Sequence, residues 1–178
     1  QRGAARAGRQ DELLQARQCG VVGLQRLVQP GHGLGLQQFV AGNGQLTPEV
    51  EQLVLDFFEV LSSGDLERLR TFYHDGSVWQ PMVKDIAGAG CHVGMDIIDK
   101  FLAPVRGMFN PGDHKVHVHN MFSRDGWVCV ESNSTGGLPD GKVYDNDYCW
   151  VFEVSNGKID KMREYMDSHY TAKLFGMD

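Results

Sequence analysis

The sequence predicts an α+β fold: a curved antiparallel sheet with three N-terminal helices packed on one face. Three observations carry this. Helical spacing of apolar residues dominates residues 47–104, and strand alternation dominates residues 115–166. Helices followed by strands, rather than alternating with them, is the α+β pattern. The strands are joined by the short turns Arg124-Asp125-Gly126, Pro139-Asp140-Gly141 and Ser155-Asn156-Gly157-Lys158, which suit antiparallel neighbours.

The first helix is expected to start at Thr47 as N-cap with Pro48 in the first helical position, and with Glu49 and Glu51 at its positive end. Val50, Leu53, Val54, Phe57, Phe58 and Leu61 recur on one face, and Ser62-Ser63-Gly64 ends it. Asp65 caps a second helix carried by Leu66, Leu69, Phe72 and Tyr73. A short strand, Ser77 to Gln80, stops at Pro81. Residues 82–93 read as loop. A third helix follows Gly94, with Ile97, Ile98, Phe101 and Leu102 inward and Pro104 breaking or kinking its end. Four strands follow, at about Lys115–Phe122, Trp127–Thr135, Val143–Val154 and Ile159–Met166.

The last two strands hold the most information. Asn-Gly between alternating apolar runs marks a tight hairpin, because both central residues of a type I′ turn need φ > 0. Tyr144, Asn146, Tyr148, Trp150, Phe152 and Val154 share one face by period two, and Met162, Glu164 and Met166 share another. A carboxylate between two methionines is costly to bury without a partner or a task.

Charge and composition bound the rest. The chain has 178 residues, 42% apolar and 22% charged, with net charge −6. That balance is ordinary for a globular protein and argues against a broad nucleic-acid footprint. No apolar run approaches the ~18 residues of a membrane span, so no membrane partner is expected. The four cysteines form no C-x-x-C pair and are read as reduced, which places the protein in the cytoplasm. Residues 1–47 carry five Arg, no Lys and two acids, while the remainder sums to −9. We therefore divide the chain into a low-order N-terminal extension, residues 1–46, and one domain, residues 47–178. In the extension, Asp11–Val28 reads as a weak helix, and Gly31-His32-Gly33-Leu34-Gly35 lacks the preceding strand of a dinucleotide loop.

The order helix, helix, short strand, helix, four strands resembles the cone of the nuclear transport factor 2-like superfamily, also called cystatin-like. Phe57-Phe58-Glu59-Val60-Leu61-Ser62-Ser63-Gly64-Asp65, then Val93-Gly94-Met95-Asp96-Ile97-Ile98 and Arg163-Glu164-Tyr165-Met166-Asp167, resembles its SnoaL-like and ketosteroid-isomerase-like branch. The resemblance implies a cone-shaped sheet with the helices on its concave face, an apolar pocket, a homodimer and no cofactor. It does not fix a reaction. The positions matching the ketosteroid-isomerase groups are Phe57, Pro81 and Trp150, none of which carries the required function. Steroid isomerisation by that mechanism is not expected. The positions matching the limonene-epoxide-hydrolase groups are Glu131, Asn133 and Glu164, where only the last carboxylate is kept.

Glu164 is the first catalytic candidate, because desolvation makes a carboxyl a proton-transfer group near neutrality. Glu131 and Asn133 are expected to assist it, on the expectation that they face inward. Asn146 and Tyr148 are candidate donors to a carbonyl or oxyanion. Trp79, Trp150, Phe57 and Met162 are candidate walls for a small apolar molecule of polyketide or terpenoid type. His117 and His119 stand two apart, with His114 nearby, as metal ligands would, but Val116 and Val118 take the inward face, so no metal is assigned. The expected activity is cofactor-free proton transfer: hydration, dehydration, isomerisation, cyclisation or epoxide hydrolysis. The alternatives are a ligand-binding module without turnover and a dimeric protein-interaction module.

Overall fold

The computed structural model describes residues 48–177. The expectations for residues 1–46, and for Thr47 as a cap, lie outside the described residues. Helix α1 runs Pro48–Ser63 and α2 Leu66–Arg70. Strand β1 is Val78–Pro81 and β2 His92–Val93. Helical segment α3, Ile97–Leu102, is π-helical and runs into α4, Ala103–Arg106. Strands β3 (Lys115–Arg124), β4 (Trp127–Gly137), β5 (Val143–Ser155) and β6 (Lys158–Met166) follow, then α5, Ser168–Phe175.

The six strands form one curved open sheet in the order β2-β1-β6-β5-β4-β3. All neighbours are antiparallel except β1 and β6, which pair in parallel with Trp79 opposite Met162 and Pro81 opposite Glu164. The expectation of a wholly antiparallel sheet is corrected there. The reason is topological: β2 and the two helical segments α3 and α4 separate β1 from the hairpins, and such a long connection lets it join β6 in either direction. Pro81 has no N–H for the ladder, and the Met82 N–H donates to the Glu164 carbonyl at 2.7 Å in the next position.

The β5–β6 turn has Ser155 opposite Lys158, and Asn156 and Gly157 have φ of 49° and 68°, as a two-residue type I′ turn requires. Beyond it β6 contains one extra residue: Val154 pairs with Ile159, but Glu153 pairs with Lys161. This bulge resets the alternation, so Ile159 and Met162 both point into the core although three apart.

Helix α1 buries Val54, Phe57, Phe58 and Leu61 against Val128 and Val130 of β4, Trp150 and Phe152 of β5 and Met162 of β6. Asp65 caps α2, its Oδ1 accepting from the Arg68 N–H at 2.9 Å. Pro104 does not simply end the third helix. It lacks an N–H, and ahead of it the helix widens, with the Ala103 N–H donating to the Ile98 carbonyl five residues back.

Two elements were not expected. His92–Val93, read as loop, adds a short edge strand to β1. Helix α5 is capped by Asp167, whose Oδ1 accepts from the Tyr170 N–H at 2.9 Å, and closed by Gly176 at φ 65°. Cys129 and Cys149 are free, with sulfurs 3.7 Å apart. Cys91 is disulfide-bonded, which corrects the expectation of four reduced cysteines. Among the described residues, no helix is long and apolar enough to cross a membrane.

Candidate functional site

A cavity of about 290 Å³ lies between the inner face of the sheet, the α3–α4 segment and α5. Its walls are mainly apolar: Trp79 from β1, Phe101 and Val105 from the helical segment, Trp150 from β5 and Phe175 from α5. Tyr148 stacks face to face on Trp150, with ring centroids 4.9 Å apart and planes 9° apart. The Trp150 indole N–H is taken up by Ser132 Oγ at 2.8 Å.

Glu164 opens into this cavity and is 6% exposed. Its Oε2 accepts one hydrogen bond, from the Trp79 indole N–H at 2.6 Å. No cation is paired with it among the described residues. Burial therefore dominates and pushes the carboxyl up to about 7, with the Trp79 bond pulling the other way. Tyr73 lies behind, its hydroxyl buried without a hydrogen-bond partner among the described residues, and burial and the Glu164 charge hold its pKa well above the ordinary value. The hydroxyls of Tyr144 and Tyr148 are bonded to each other at 2.5 Å. That bond uses one of their two protons and leaves one to donate elsewhere.

His114, just before β3, and Arg106, at the end of α4, also line the cavity. Arg106 NH1 donates to the Leu61 carbonyl at 2.6 Å, capping the C-terminus of α1, and to His114 Nδ1 at 2.9 Å. Burial, then the Arg106 and Lys115 charges, push the His114 imidazole down to about 4.

Of the expected site residues, Glu164, Trp79, Tyr148 and Trp150 meet at the cavity. The others do not. Glu131 and Asn133 lie on the outer face of β4, where Asn120 reaches Glu131 and Asn133 donates to Asp145. Val128, Val130, Ser132 and Ser134 take the inward positions, all 2% exposed or less. The strand carries polar groups on both faces, so composition did not mark its inner side, and the two fully buried valines decide it.

Asn146 is inward but does not reach the cavity. Its amide donates to the Tyr144 hydroxyl, the Asp167 carbonyl and Thr171 Oγ1, tying α5 to β5. Phe57 and Met162 form the layer behind Trp79. Phe57 alone meets five aromatic rings, among them Trp79 at 6.0 Å and Phe152 at 5.8 Å. His117 and His119 project outward from β3, and a bulge after Val118 breaks their even spacing. Arg106, His114 and the α5 residues were missed. Asp167 followed by Gly176 was a legible cap pair for α5, but no sequence signal marks Arg106 and His114 as neighbours.

A curved sheet covered by helices, with a buried carboxyl opening into an apolar cavity, defines an α+β cone. The chain belongs to the SnoaL-like domain family, whose model matches residues 54–162, more than half of its length. Among solved structures it is similar to Bal32a from a soil-derived mobile gene cassette, at 25% identity, with a TM-score of 0.62 over 71% of this chain and 95% of that one. It is also similar to TerC co-crystallised with polyporic acid, at 18% identity, with a TM-score of 0.63 over 72% and 98%. A third is a protein described as a SnoaL-like polyketide cyclase, from Shewanella putrefaciens CN-32, at 17% identity, with a TM-score of 0.61 over 74% and 98%.

Proposed function

We propose that this protein is a cofactor-independent proton-transfer enzyme for a flat, largely apolar small molecule, with Glu164 as general acid and base. The observation that carries it is the Glu164 carboxyl, buried in an apolar cavity with no paired cation among the described residues and poised at about 7. A group poised there is substantially present in both protonation states at neutral pH, so it can take a proton from one atom and return it to another. Positioned acid–base catalysis of this kind contributes roughly 10²–10⁴-fold in rate. The aromatic residues Trp79, Tyr148 and Trp150 in the cavity wall suit a planar ring system, and similarity in fold to TerC, co-crystallised with polyporic acid, supports an aromatic ligand class. Glu131 and Asn133 drop out as assistants, because they are on the other side of the sheet.

The experiment is a thermal-shift screen of the full chain, wild type beside Glu164→Gln, against polyketide-like aromatics, cyclic ketones, hydroxy-ketones and epoxides. A ligand that binds only the folded state raises the melting temperature by mass action. Each hit is then assayed for turnover. Loss of turnover in Glu164→Gln with binding retained supports the reading. Turnover unaffected by that change overturns it.

One observation favours binding without turnover as a second reading: only one of the three expected catalytic residues reaches the cavity. Hits that bind but are never converted decide for it. A cytoplasmic setting stays with the proposal on the free Cys129 and Cys149, and disulfide-bonded Cys91 counts against it. Thiol counting on protein isolated from its native host decides.

A further inference from the structure

We propose that His114 binds the substrate's carbonyl oxygen through its Nε2–H, so that the molecule Glu164 acts on is a carbonyl compound deprotonated next to that carbonyl. This deepens the reading above and rests on it. A guanidinium has N–H donors and no acceptor. Arg106 NH1 lies 2.9 Å from His114 Nδ1, so that nitrogen must be the unprotonated, accepting one. A neutral imidazole with an accepting Nδ1 carries its proton on Nε2.

That N–H makes no hydrogen bond to any described residue, yet the ring lines the same cavity as Glu164. The ring is held from both sides. Phe109 lies against it with centroids 4.5 Å apart, and Arg106 is itself fixed by the Leu61 carbonyl at the end of α1. The same guanidinium opposes protonation of the ring, so His114 stays a neutral donor across the pH range in which Glu164 titrates. A neutral donor of fixed direction suits an oxygen that gains charge during the reaction, because it needs no reorganisation and keeps its own proton.

The step balances within these groups. The Glu164 carboxylate takes the proton of the C–H bond beside the carbonyl. The electron pair of that bond forms the C=C bond of the enolate, and the C=O π pair moves onto the oxygen. His114 Nε2–H donates to that oxygen and is not transferred. Return of the Glu164 proton to another carbon isomerises the substrate. Attack of the enolate carbon on a second carbonyl closes a ring, the C=O π pair of that carbonyl becoming an alkoxide that takes the Glu164 proton. In a β-hydroxy substrate the enolate pair instead expels the hydroxyl, which takes the Glu164 proton and leaves as water.

The test has two arms on the full chain. In the first, nitrogen NMR of histidine-labelled protein at pH 6–8 reads the tautomer. An acceptor-type Nδ1 and a pyrrole-type Nε2 for His114 are expected, and a cationic ring or the opposite tautomer overturns the inference. In the second, 4-nitrophenol serves as an enolate mimic whose absorbance reports its ionised form. Binding should move the His114 Nε2–H resonance. His114→Phe should weaken binding about tenfold or more, as loss of a donor to a charged oxygen does. His114→Gln should restore most of it, since its amide oxygen can accept from Arg106 while its N–H donates. An unmoved resonance, or equal affinity in all three proteins, overturns the inference. Neither arm depends on Glu164 turnover, so failure here leaves the Glu164 reading standing, and failure of Glu164→Gln to affect turnover leaves the tautomer result standing.

Discussion

The Trp79 indole N–H donates to Glu164 Oε2 across 2.6 Å, with both side chains buried. The contact follows from the parallel pairing of β1 with β6, which sets Trp79 opposite Met162 and Pro81 opposite Glu164. An indole can only donate, so this bond stabilises the carboxylate and restrains the upward push of burial. Trp79→Phe keeps the aromatic wall and deletes the donor. The Glu164 midpoint is expected to move above about 7. A carbon-13 titration of the glutamate side chains, assigned through Glu164→Gln, reads it. A midpoint that stays or falls would mean the bond does not restrain the carboxyl.

Glu164 also makes stability depend on pH. Its ordinary value is 4.5 and its folded value about 7, so between these the folded state binds the extra proton. The contribution is fully present below 4.5, fades as pH rises through the window, and is gone above 7. Its size is on the order of 3 kcal/mol, at about 1.4 kcal/mol per pKa unit. His114 acts in the opposite sense: its folded value of about 4 costs stability as pH falls from 6.5. The comparison of wild type with Glu164→Gln cancels that background. Urea unfolding at pH 5 and pH 8 should show the variant gaining on wild type as pH rises. Parallel curves would sink the buried-carboxylate account.

Gly136 is a packing requirement rather than a flexible joint. A Cβ there would come within 2.6 Å of Phe109 Cδ1 and 3.3 Å of the His114 Cα. Gly136→Ala should therefore cost roughly 1–3 kcal/mol through overpacking and displace Phe109 and His114 from the cavity wall. Thermal unfolding gives the stability loss, and the His114 nitrogen resonances give the displacement. Unchanged stability would mean that the Phe109 ring yields freely.

Much of the fold was legible because local and global signals agree. Asn156-Gly157 forms the turn that its φ requirement demands, and the apolar faces of α1, β5 and β6 are the buried ones. Legibility failed where a strand's two faces are alike in polarity. On β4, Glu131 and Asn133 looked as inward as Ser132 and Ser134, and burial of Val128 and Val130 settles the matter only in three dimensions. It failed again where a site is assembled across the chain. Arg106, His114 and Leu61 meet through the packing of α1 on β3, where Ser62 Oγ accepts from the Val116 N–H at 2.9 Å, and period and spacing hold no trace of that contact. Glu164 was found because a carboxylate in a run of inward methionines violates the local pattern, and such violations cluster at functional sites.

The outer sheet face bears on assembly. Phe122, Trp127 and Tyr165 stand out from β3, β4 and β6 at 58%, 45% and 41% exposure. Arg163 lies 5.4 Å over the Trp127 ring and pairs with Glu153 at 2.9 Å, holding the indole flat along the surface. An exposed indole with a charged border on an open sheet face suits an isologous contact with a second copy, in which the face meets itself across a two-fold axis. We expect a homodimer at micromolar concentration. Trp127→Asp should convert it to monomer by placing a carboxylate at the centre of the contact, and because Trp127 lies far from the buried core, the melting curve should remain cooperative. Light scattering of wild type and variant reads both states. A wild type that is already monomeric would remove this face from the assembly and leave the exposed aromatics without an account.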